Sequence, residues 1–375
     1  MGEIAVDGTQ WIKLKADGSA GRTPVRMICK DIAGPTDYAK RNIMLDCVTS
    51  AFKLIIDRHI MEHIKDCTET EAHQVLKKDW TITVAELQIL YARDAYEAKS
   101  LKASYLSKTC YKPYENISID EQLFPTKAPC GFRQYMPNKP HKFGIKFWLT
   151  VDVQTKYILN DFPYKGEDET RCSKSLDDIL LAKKLFANKT TLVGTNRSNK
   201  IKLPVKEKKD KITLFSLYLY KSENCTLIVY KSKPNKKVLL LSTKHTGVQV
   251  EDNYKGVPET ITFYNKTKFG VDIDDQMTCK YSVKAESFRW PLQIFFNILN
   301  LAAINTWILY IECIGSKISR KELIFYLAKE LDGKDKENIC QISDASFLSP
   351  STLKVRKSCQ VGHSKKDRNN NCCIY

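Results

Sequence analysis

The chain of 375 residues is long enough for one large domain or two ordinary ones, and a hydrophobic share of 43% with 10% aromatic residues excludes wholesale disorder. Lys and Arg number 60 against 43 Asp and Glu, which gives a net charge of +17. That surplus indicates either a polyanionic partner such as nucleic acid or a basic protein without a special partner, and charge alone weighs the two equally. The 13 cysteines mostly stand singly and residues 1–11 lack an apolar signal segment, so we expect reduced thiols in the cytosol or nucleus.

The first part of the chain changes character near residue 36. Residues 1–35 are rich in Gly, Pro and charged residues and predict a flexible leader. Residues 36–109 predict a helical region, because apolar residues recur at helical spacing from Phe52 to Ile64 and helix formers continue beyond residue 81.

Strand patterns dominate the middle of the chain. Alternating apolar and polar positions predict adjacent antiparallel strands at 144–152 and 157–162, followed by a helix over 175–187. Further strands are predicted at 190–194, 212–220, 225–231 and 238–242. We divide this part into a mixed segment, 110–195, and a β-rich segment, 196–262.

Helices return in 263–331, where the pattern predicts them over 274–285, 291–313 and 319–331, and the polar residues 332–375 predict a flexible tail. The helix 291–313 is the longest apolar stretch, but amide side chains interrupt it. Amides are costly in lipid and easily satisfied in a protein core, so we predict a buried helix and no membrane partner. Ser319 and Glu322 form the pattern of a capping box. Together the elements predict a mixed α/β protein.

Three separated motifs carry a family resemblance. The first comprises NISIDEQL at 116–123, FRQYMPNKP at 132–140 and FGIK at 143–146. The second is LVGTNRSNK at 192–200, and the third is YNKTKFGVDIDDQM at 264–277 with Arg289-Trp290-Pro291 after it. Jointly they resemble the piggyBac transposase family and its transposable-element-derived relatives, from about residue 35 to the end.

The resemblance implies an RNase H-like domain that holds an inserted, mainly β domain, here assigned to 196–262. It also implies an N-terminal helical region for DNA binding and dimerisation and a C-terminal Cys-rich zinc module. The implied activity is cut-and-paste DNA transposition at TTAA targets, with three aspartates binding two Mg²⁺ ions. Hard cations require such carboxylate oxygens, and the two metals stabilise the attacking and leaving oxygens of the displacement.

Two of the three implied aspartates are present. Asp120 matches the first and Asp272 the third, so these two would hold Mg²⁺ in an active protein. Asp275 matches a further family aspartate three residues on, which places it on the same helical face as Asp272. The alternative for Asp272 and Asp275 is helix N-terminal capping, which carboxylates also favour.

The second aspartate is missing from its expected place. The strand that should end in Asp-Asn has no counterpart, and alignment puts either Ser173 or a gap there. Asp177 and Asp178 fall at or inside the following helix, past the ligand position. The RNase H-like core is therefore predicted to be partly deleted, which should expose apolar surface at a poorly packed edge.

The tail resembles only the opening of the family's Cys-rich module. Cys359, His363, Cys372 and Cys373 could supply four ligands, but adjacent cysteines chelate one metal awkwardly. Gly362 also stands where a Cys-x-x-Cys pair would be completed. We therefore expect no zinc.

Basic residues interleave with turns in the β-rich segment and before the long helix. The candidate phosphate contacts are Arg197, Lys200, Lys202, Lys233, Lys236 and Arg289, with solvated loops as the alternative reading. We predict a degenerate transposase-derived protein that binds DNA in the nucleus, possesses no complete catalytic triad and could form a homodimer. The alternatives are an active transposase with a substitute carboxylate, and a non-catalytic interaction factor or inert relic.

Overall fold

The computed structural model describes residues 2–14, 32–56, 109–164, 166, 178–196, 203–204, 213–251, 254–284 and 287–330. The strands are β1 (Gly2–Ile4), β2 (Gln10–Leu14), β3 (Gly34–Pro35), β4 (Tyr111–Lys112), β5 (Ile117–Pro125), β6 (Gln134–Tyr135), β7 (Phe143–Asp152), β8 (Ile158–Pro163), β9 (Val193–Thr195), β10 (Leu217–Ser222), β11 (Cys225–Lys233) and β12 (Lys236–Ser242). The helices are α1 (Asp37–Asn42), α2 (Val48–Ile55), α3 (Asp178–Ala187), α4 (Glu259–Thr267), α5 (Gly270–Lys280), α6 (Trp290–Ile314) and α7 (320–330). The predicted mixed α/β class is confirmed.

A four-stranded antiparallel sheet presents an apolar face to the helices. Its strand β7 lies between β5 and β8, and β6 pairs with the first residues of β7. Ile145, Phe147, Leu149 and Val151 alternate along β7 and are fully buried, because side chains two apart on a strand share a face. The adjacent antiparallel strands predicted at 144–152 and 157–162 are confirmed.

The outer edge of β5 has no strand partner among the described residues. Ile117 is 46% exposed and Ile119 67% exposed along that strand. These two side chains project from the face of β5 that points away from α5, and the deletion of a neighbouring strand stays a prediction.

Helix α6 is a buried core helix, as predicted. Among the described residues it is the one helix long and apolar enough to cross a membrane, yet its apolar segment is two-thirds buried in the protein. Its amides bond to neighbouring elements: the Asn297 side chain donates to Gln122 Oε1 at 2.8 Å, and the Asn305 side chain both accepts from Ile158 N and donates to Ile158 O, each at 2.8 Å. These bonds compensate part of the cost of burying the amides, while Asn297 Oδ1 and Gln293 Oε1 have no hydrogen-bond partner among the described residues.

A second sheet of six strands runs β1-β2-β10-β11-β12-β9. Strand β11 is buried on both faces, since Leu227 and Val229 belong to one apolar core and Ile228 and Tyr230 to another. That double burial explains its continuous apolar sequence.

The prediction of a flexible leader is wrong for residues 2–14. Strand β2 pairs with β10, Leu14 opposite Leu219, and Trp11 is fully buried against the six-stranded sheet. The apolar Trp11 therefore anchors the segment, whatever its Gly-rich surroundings. Residues 15–31 lie outside the described part of the chain.

The predicted segment boundary at residue 195 also separates elements that pack together in the six-stranded sheet. Strand β9 pairs with β12, and Ile179 and Ala182 of α3 pack in the same core as Trp11. Helix α3 therefore belongs with the six-stranded sheet, whereas the sequence pattern grouped it with the preceding strands.

Helices α1 and α2 lie within the region predicted to be helical, and residues 57–108 lie outside the described residues. The Glu330 carboxylate at the end of α7 accepts hydrogen bonds from Val48 N and Thr49 N at 3.0 Å each. It thus satisfies free N–H groups at the start of α2, which lacks a side-chain cap of its own.

Two short helices precede α6. Helix α4 was not predicted, and α5 begins at Gly270, four residues before the predicted start. The capping box of α7 is confirmed, because Ser319 N donates to Glu322 Oε2 at 2.9 Å and Glu322 N donates to Ser319 Oγ at 3.3 Å. The predicted tail, 332–375, lies outside the described residues.

Candidate functional site

Asp120 lies on the face of β5 that packs against α5. Its neighbours two residues away on that face both contact the helix segment: Ser118 Oγ donates to Lys268 O at 3.2 Å, and Gln122 Nε2 donates to Thr278 Oγ1 at 3.2 Å. Because side chains two apart share a face, Asp120 projects between these contacts. Strand and helix therefore place Asp120 beside the first turns of α5.

Gly270 permits this close approach. A Cβ atom built there would lie 2.8 Å from Ser118 Cβ, which is closer than real Cβ contacts. The glycine in the third motif therefore has a packing role, because it brings the start of α5 onto β5.

Asp272 and Asp275 share one face of α5, as their spacing predicts. Asp272 is 45% exposed and Asp275 is 18% exposed. Neither aspartate is the N-cap of α5, which is Phe269, but Asp272 lies in the first turn, where a carboxylate interacts favourably with the helix dipole. Both carboxylates also pair with the same lysine.

That lysine is Lys139, which sequence reasoning missed. Its Nζ atom lies 3.5 Å from Asp272 Oδ1 and 3.4 Å from Asp275 Oδ2. The loop between β6 and β7 holds it, with Met136 N donating to Lys142 O at 2.8 Å and Lys139 N donating to Met136 O at 3.2 Å. Lys139 lies in the first motif, within FRQYMPNKP, and its place in that motif was the sequence signal that could have identified it as a site residue.

The electrostatics join these groups into one cluster, which we call the carboxylate cluster: Asp120, Lys139, Asp272 and Asp275. Partial burial raises the pKa of Asp120, the Asp272 charge raises it further and Lys139 opposes the rise. Burial likewise raises the pKa of Asp275, while the charge of Lys139 and bonds from Lys139 and Gln122 lower it. The pKa values of Asp120 and Asp275 thus respond to neighbouring charges, as those of groups around one site do.

Two further acids of the neighbourhood are buried and were not predicted. Asp274 is fully buried, and neither of its carboxylate oxygens has a hydrogen-bond partner within the described part of the chain. Burial raises its pKa well above the ordinary value, with Lys156 and Arg320 opposing. Asp274 therefore lies on the inner side of α5, away from the carboxylate cluster.

Asp161 is the other buried acid. Burial raises its pKa to about 6. Pairing in the sheet places Asp120 opposite Leu149, and Leu149 opposite Asp161, so the two aspartates lie in one row. Two strand spacings separate their backbones by roughly 10 Å, with the buried Leu149 between them. Among the described residues, Asp161 belongs to no group of acids that could hold a metal ion.

The cluster does not fit the two-metal site that the family resemblance implies. Among the described residues no group of three or more His, Cys, Asp or Glu side chains could hold a metal ion. The ammonium of Lys139 is paired with both Asp272 and Asp275, where its single positive charge repels a cation that approaches the two carboxylates. No reaction step is therefore assigned to a metal here.

Most of the remaining predicted site residues lie outside the described part of the chain. Ser173 and Asp177 lie outside the described residues, and Asp178 is the first residue of α3. Arg197, Lys200 and Lys202 also lie outside them, as do Cys359, His363 and Cys372.

The described DNA-contact candidates lie at two places. Lys233 and Lys236 pair at the tip of the β11–β12 hairpin and are exposed. Arg289 is exposed at the N-cap of α6, and the neighbouring Trp290 packs edge-on against Phe132, with ring centroids 5.0 Å apart. Trp290 is thus half-buried against Phe132, and the role of Arg289 as a phosphate contact stays a prediction.

Comparisons with known proteins give the family. The family model described as Transposase IS4 matches residues 100–180 and 172–307, together more than half of the chain. Among solved structures, the chain is similar to a piggyBac transposase synaptic complex with hairpin DNA determined by cryo-electron microscopy. The match has a TM-score of 0.64 and 23% identity, and it covers 89% of this chain and 92% of that one. The chain therefore belongs to this transposase family, in its piggyBac type.

Proposed function

We propose that the chain is a transposase-derived protein that binds DNA and does not carry out metal-dependent strand transfer. The observation that carries the proposal is the pairing of Lys139 with both Asp272 and Asp275. A pair of metals needs several carboxylates free to coordinate, whereas here a single ammonium is already paired with two of the three carboxylates in the carboxylate cluster.

The missing second aspartate supports the same proposal. Alignment leaves Ser173 or a gap at its position, and neither Asp161 nor Asp274 replaces it, because both are buried away from the cluster. In an active protein, Asp120 and Asp272 would be the Mg²⁺ ligands. We propose no zinc site, since Cys359, His363 and Cys372 are only a remnant of the family's module.

DNA binding is supported by charge and by the relative. The solved piggyBac transposase contains hairpin DNA, and this chain carries a net charge of +17. Exposed Lys233 and Lys236 at a hairpin tip and exposed Arg289 are suited to phosphate contacts. Arg197, Lys200 and Lys202 extend this set in our proposal.

Three further features follow from family membership as proposals. The antiparallel sheet of β5, β7 and β8, backed by α5 and α6, is the RNase H-like core in partly deleted form, and the six-stranded sheet contains the inserted β domain. The protein acts in the nucleus. It forms a homodimer through its N-terminal region.

Two measurements on the full chain test the proposal. Duplex DNA should shift in a gel at low salt and dissociate steeply as salt rises, because phosphate contacts release counterions. With Mg²⁺ or Mn²⁺ present, the same DNA should be neither nicked nor converted to a hairpin. Glu115→Ala is the matched control for Asp120→Ala, since Glu115 is an exposed acid just before β5.

The alternatives correspond to distinct outcomes. Metal-dependent cleavage that Asp120→Ala abolishes and Glu115→Ala spares would replace the proposal with an active transposase that uses a substitute carboxylate. Absence of a shift even at low salt would instead favour an interaction factor or an inert relic.

A further inference from the structure

The N-terminal hairpin, formed by β1 and β2, is held in shape by its own groups. Its two strands pair antiparallel over three residue pairs. In the turn, Ala5 N donates to Thr9 O at 2.9 Å, and Thr9 N donates to Asp7 Oδ1 at 3.0 Å. Gly8 has a φ of 87°, which a glycine adopts without strain. The hairpin can therefore keep its conformation without help from the rest of the protein.

The hairpin joins the six-stranded sheet along one edge. Among the described strands, β1 pairs with β2 alone, and β2 pairs with β10 over three residue pairs that end with Leu14 opposite Leu219. A separate bridge joins Ala5 to Pro204. Without the hairpin, β10 would be an open edge of the sheet, and such an edge pairs readily with another strand.

The side chain that anchors the hairpin is Trp11. It is fully buried in an apolar pocket that includes Ile179 and Ala182 of α3 and Leu227 and Val229 of β11. A strand edge beside a side-chain pocket is the combination by which a sheet binds an extended peptide, since backbone pairing gives affinity and the pocket gives specificity. The hairpin thus occupies β10 in the way that a bound peptide would.

Other contacts of the hairpin favour its release. Ile4 is 63% exposed, Val6 68% and Ile12 62%, so these apolar side chains gain little from docking. Glu3 Oε2 is buried and has no hydrogen-bond partner among the residues that the structure describes, which costs free energy in the docked state. Docking therefore depends mainly on the Trp11 pocket and the short pairing with β10.

The connection from the hairpin to β3 is long. Residues 15–31 can span up to roughly 55 Å when extended, at about 3.3 Å per residue. A hairpin that leaves its own β10 can therefore reach the β10 of a neighbouring copy. There it would find the same edge and the same pocket, so a second copy of this chain is the partner that the edge fits.

We propose that the N-terminal hairpin is a releasable module and that the β10 edge, with the Trp11 pocket, takes the hairpin of a second copy in its place. Each contact within one copy is then remade between two copies, which is why such exchange has a low cost in free energy. The inference goes beyond the proposed function, because it needs neither DNA nor the helical region 36–109.

The first experiment measures release with a fluorescein-labelled peptide of residues 1–15. A protease site is inserted after Gly21 in the full chain and cut after folding, so that the hairpin stays bound only by its contacts. Anisotropy should rise as the labelled peptide replaces the cut hairpin. An unlabelled peptide with Trp11→Ala should compete at least about a hundredfold more weakly than the unchanged peptide, because it leaves the pocket empty. The matched control Ile12→Ala changes the neighbouring, exposed side chain and should compete within about threefold.

The second experiment uses the intact wild-type chain and light scattering. A tethered module competes at an effective concentration on the order of a millimolar, so dimers should appear as the protein approaches that concentration. Excess unlabelled peptide should convert these dimers to monomers by filling the β10 edge, whereas the Trp11→Ala peptide should leave them unchanged. A dimer formed through the helical region would respond to neither peptide, which separates the two kinds of dimer.

Three results would overturn the inference. The first is a cut protein that keeps its hairpin and takes up no labelled peptide after prolonged incubation, since the hairpin would then be a permanent part of the sheet. The second is equal competition by the unchanged and Trp11→Ala peptides. The third is the absence of peptide-sensitive dimers near millimolar protein. None of them bears on the proposed function, which is judged by DNA binding and cleavage.

Discussion

Asp161 should make the four-stranded sheet less stable at neutral pH than in mild acid. Its side chain is buried, and burial raises its pKa from 3.8 to about 6. A rise of roughly 2 pH units corresponds to about 3 kcal/mol of unfolding free energy. Because the folded state holds the proton more tightly, this stability is fully present below pH 3.8 and is lost as the pH rises through about 6.

The variant Asp161→Asn removes this titration while keeping nearly the same shape. Unfolding free energies from denaturant titrations should be measured for both proteins over the pH range. The difference, variant minus wild type, should grow as the pH rises from 3.8 to about 6 and should remain constant above that. Its slope should approach 1.4 kcal/mol per pH unit at most, and the total should be about 3 kcal/mol.

The slope is the diagnostic quantity. A buried amide can cost or contribute a fixed amount through its own hydrogen bonds, but that amount does not change with pH. The other acids titrate equally in wild type and variant, so their contributions cancel in the difference between the two unfolding free energies. A flat difference curve for Asp161→Asn would refute the reasoning that burial controls this carboxyl.

Three further substitutions test the packing and charge of the site. Lys139→Gln should tighten Mn²⁺ binding about tenfold in electron paramagnetic resonance titrations, because it removes a unit charge that lies 3.5 Å from the Asp272 carboxylate and 3.4 Å from that of Asp275. The control Lys142→Gln should change the Mn²⁺ affinity little. Gly270→Ala should lower the denaturation midpoint by the equivalent of about 1–3 kcal/mol through its clash with β5, whereas Gly131→Ala, with open space around it, should be nearly neutral. Glu330→Ala should cost about 1 kcal/mol in thermal unfolding, since it frees two N–H groups of α2; an unchanged midpoint would mean that water caps α2 equally well.

Local sequence patterns predicted the elements whose burial is visible in the spacing of their own apolar and polar residues. The alternation along β7 reports burial on one face, and the amides of α6 indicate polar partners in a core. The pairing of Leu14 with Leu219 had no such signal, because two distant segments determine it together. The Gly-rich surroundings therefore led to the wrong prediction for residues 2–14.

In the candidate site, too, some features were predicted from the sequence and others depend on tertiary packing. The spacing of Asp272 and Asp275 predicted their shared face, and the family resemblance joined them with Asp120. The part played by Lys139 depends on how the β6–β7 loop folds back over α5, which no spacing rule reveals. The burial of Asp274, between two acids on the solvent side, depends likewise on what packs behind α5.

Under the proposed function, the open edge of β5 and the incomplete aspartate set have one cause, since the missing aspartate belongs to a missing strand. Hydrogen exchange followed by nuclear magnetic resonance tests this. Val153 N donates to Asn116 O at 3.0 Å, and bonded and non-bonded pairs alternate in an antiparallel ladder. The N–H groups of Ser118 and Asp120 therefore point towards β7, and those of Ile117 and Ile119 point to the open edge. We expect rapid exchange at Ile117 and Ile119 and protection at Ser118 and Asp120. Protection at Ile119 equal to that at Ser118 would mean that another part of the chain pairs with β5, and the deletion argument would then fail.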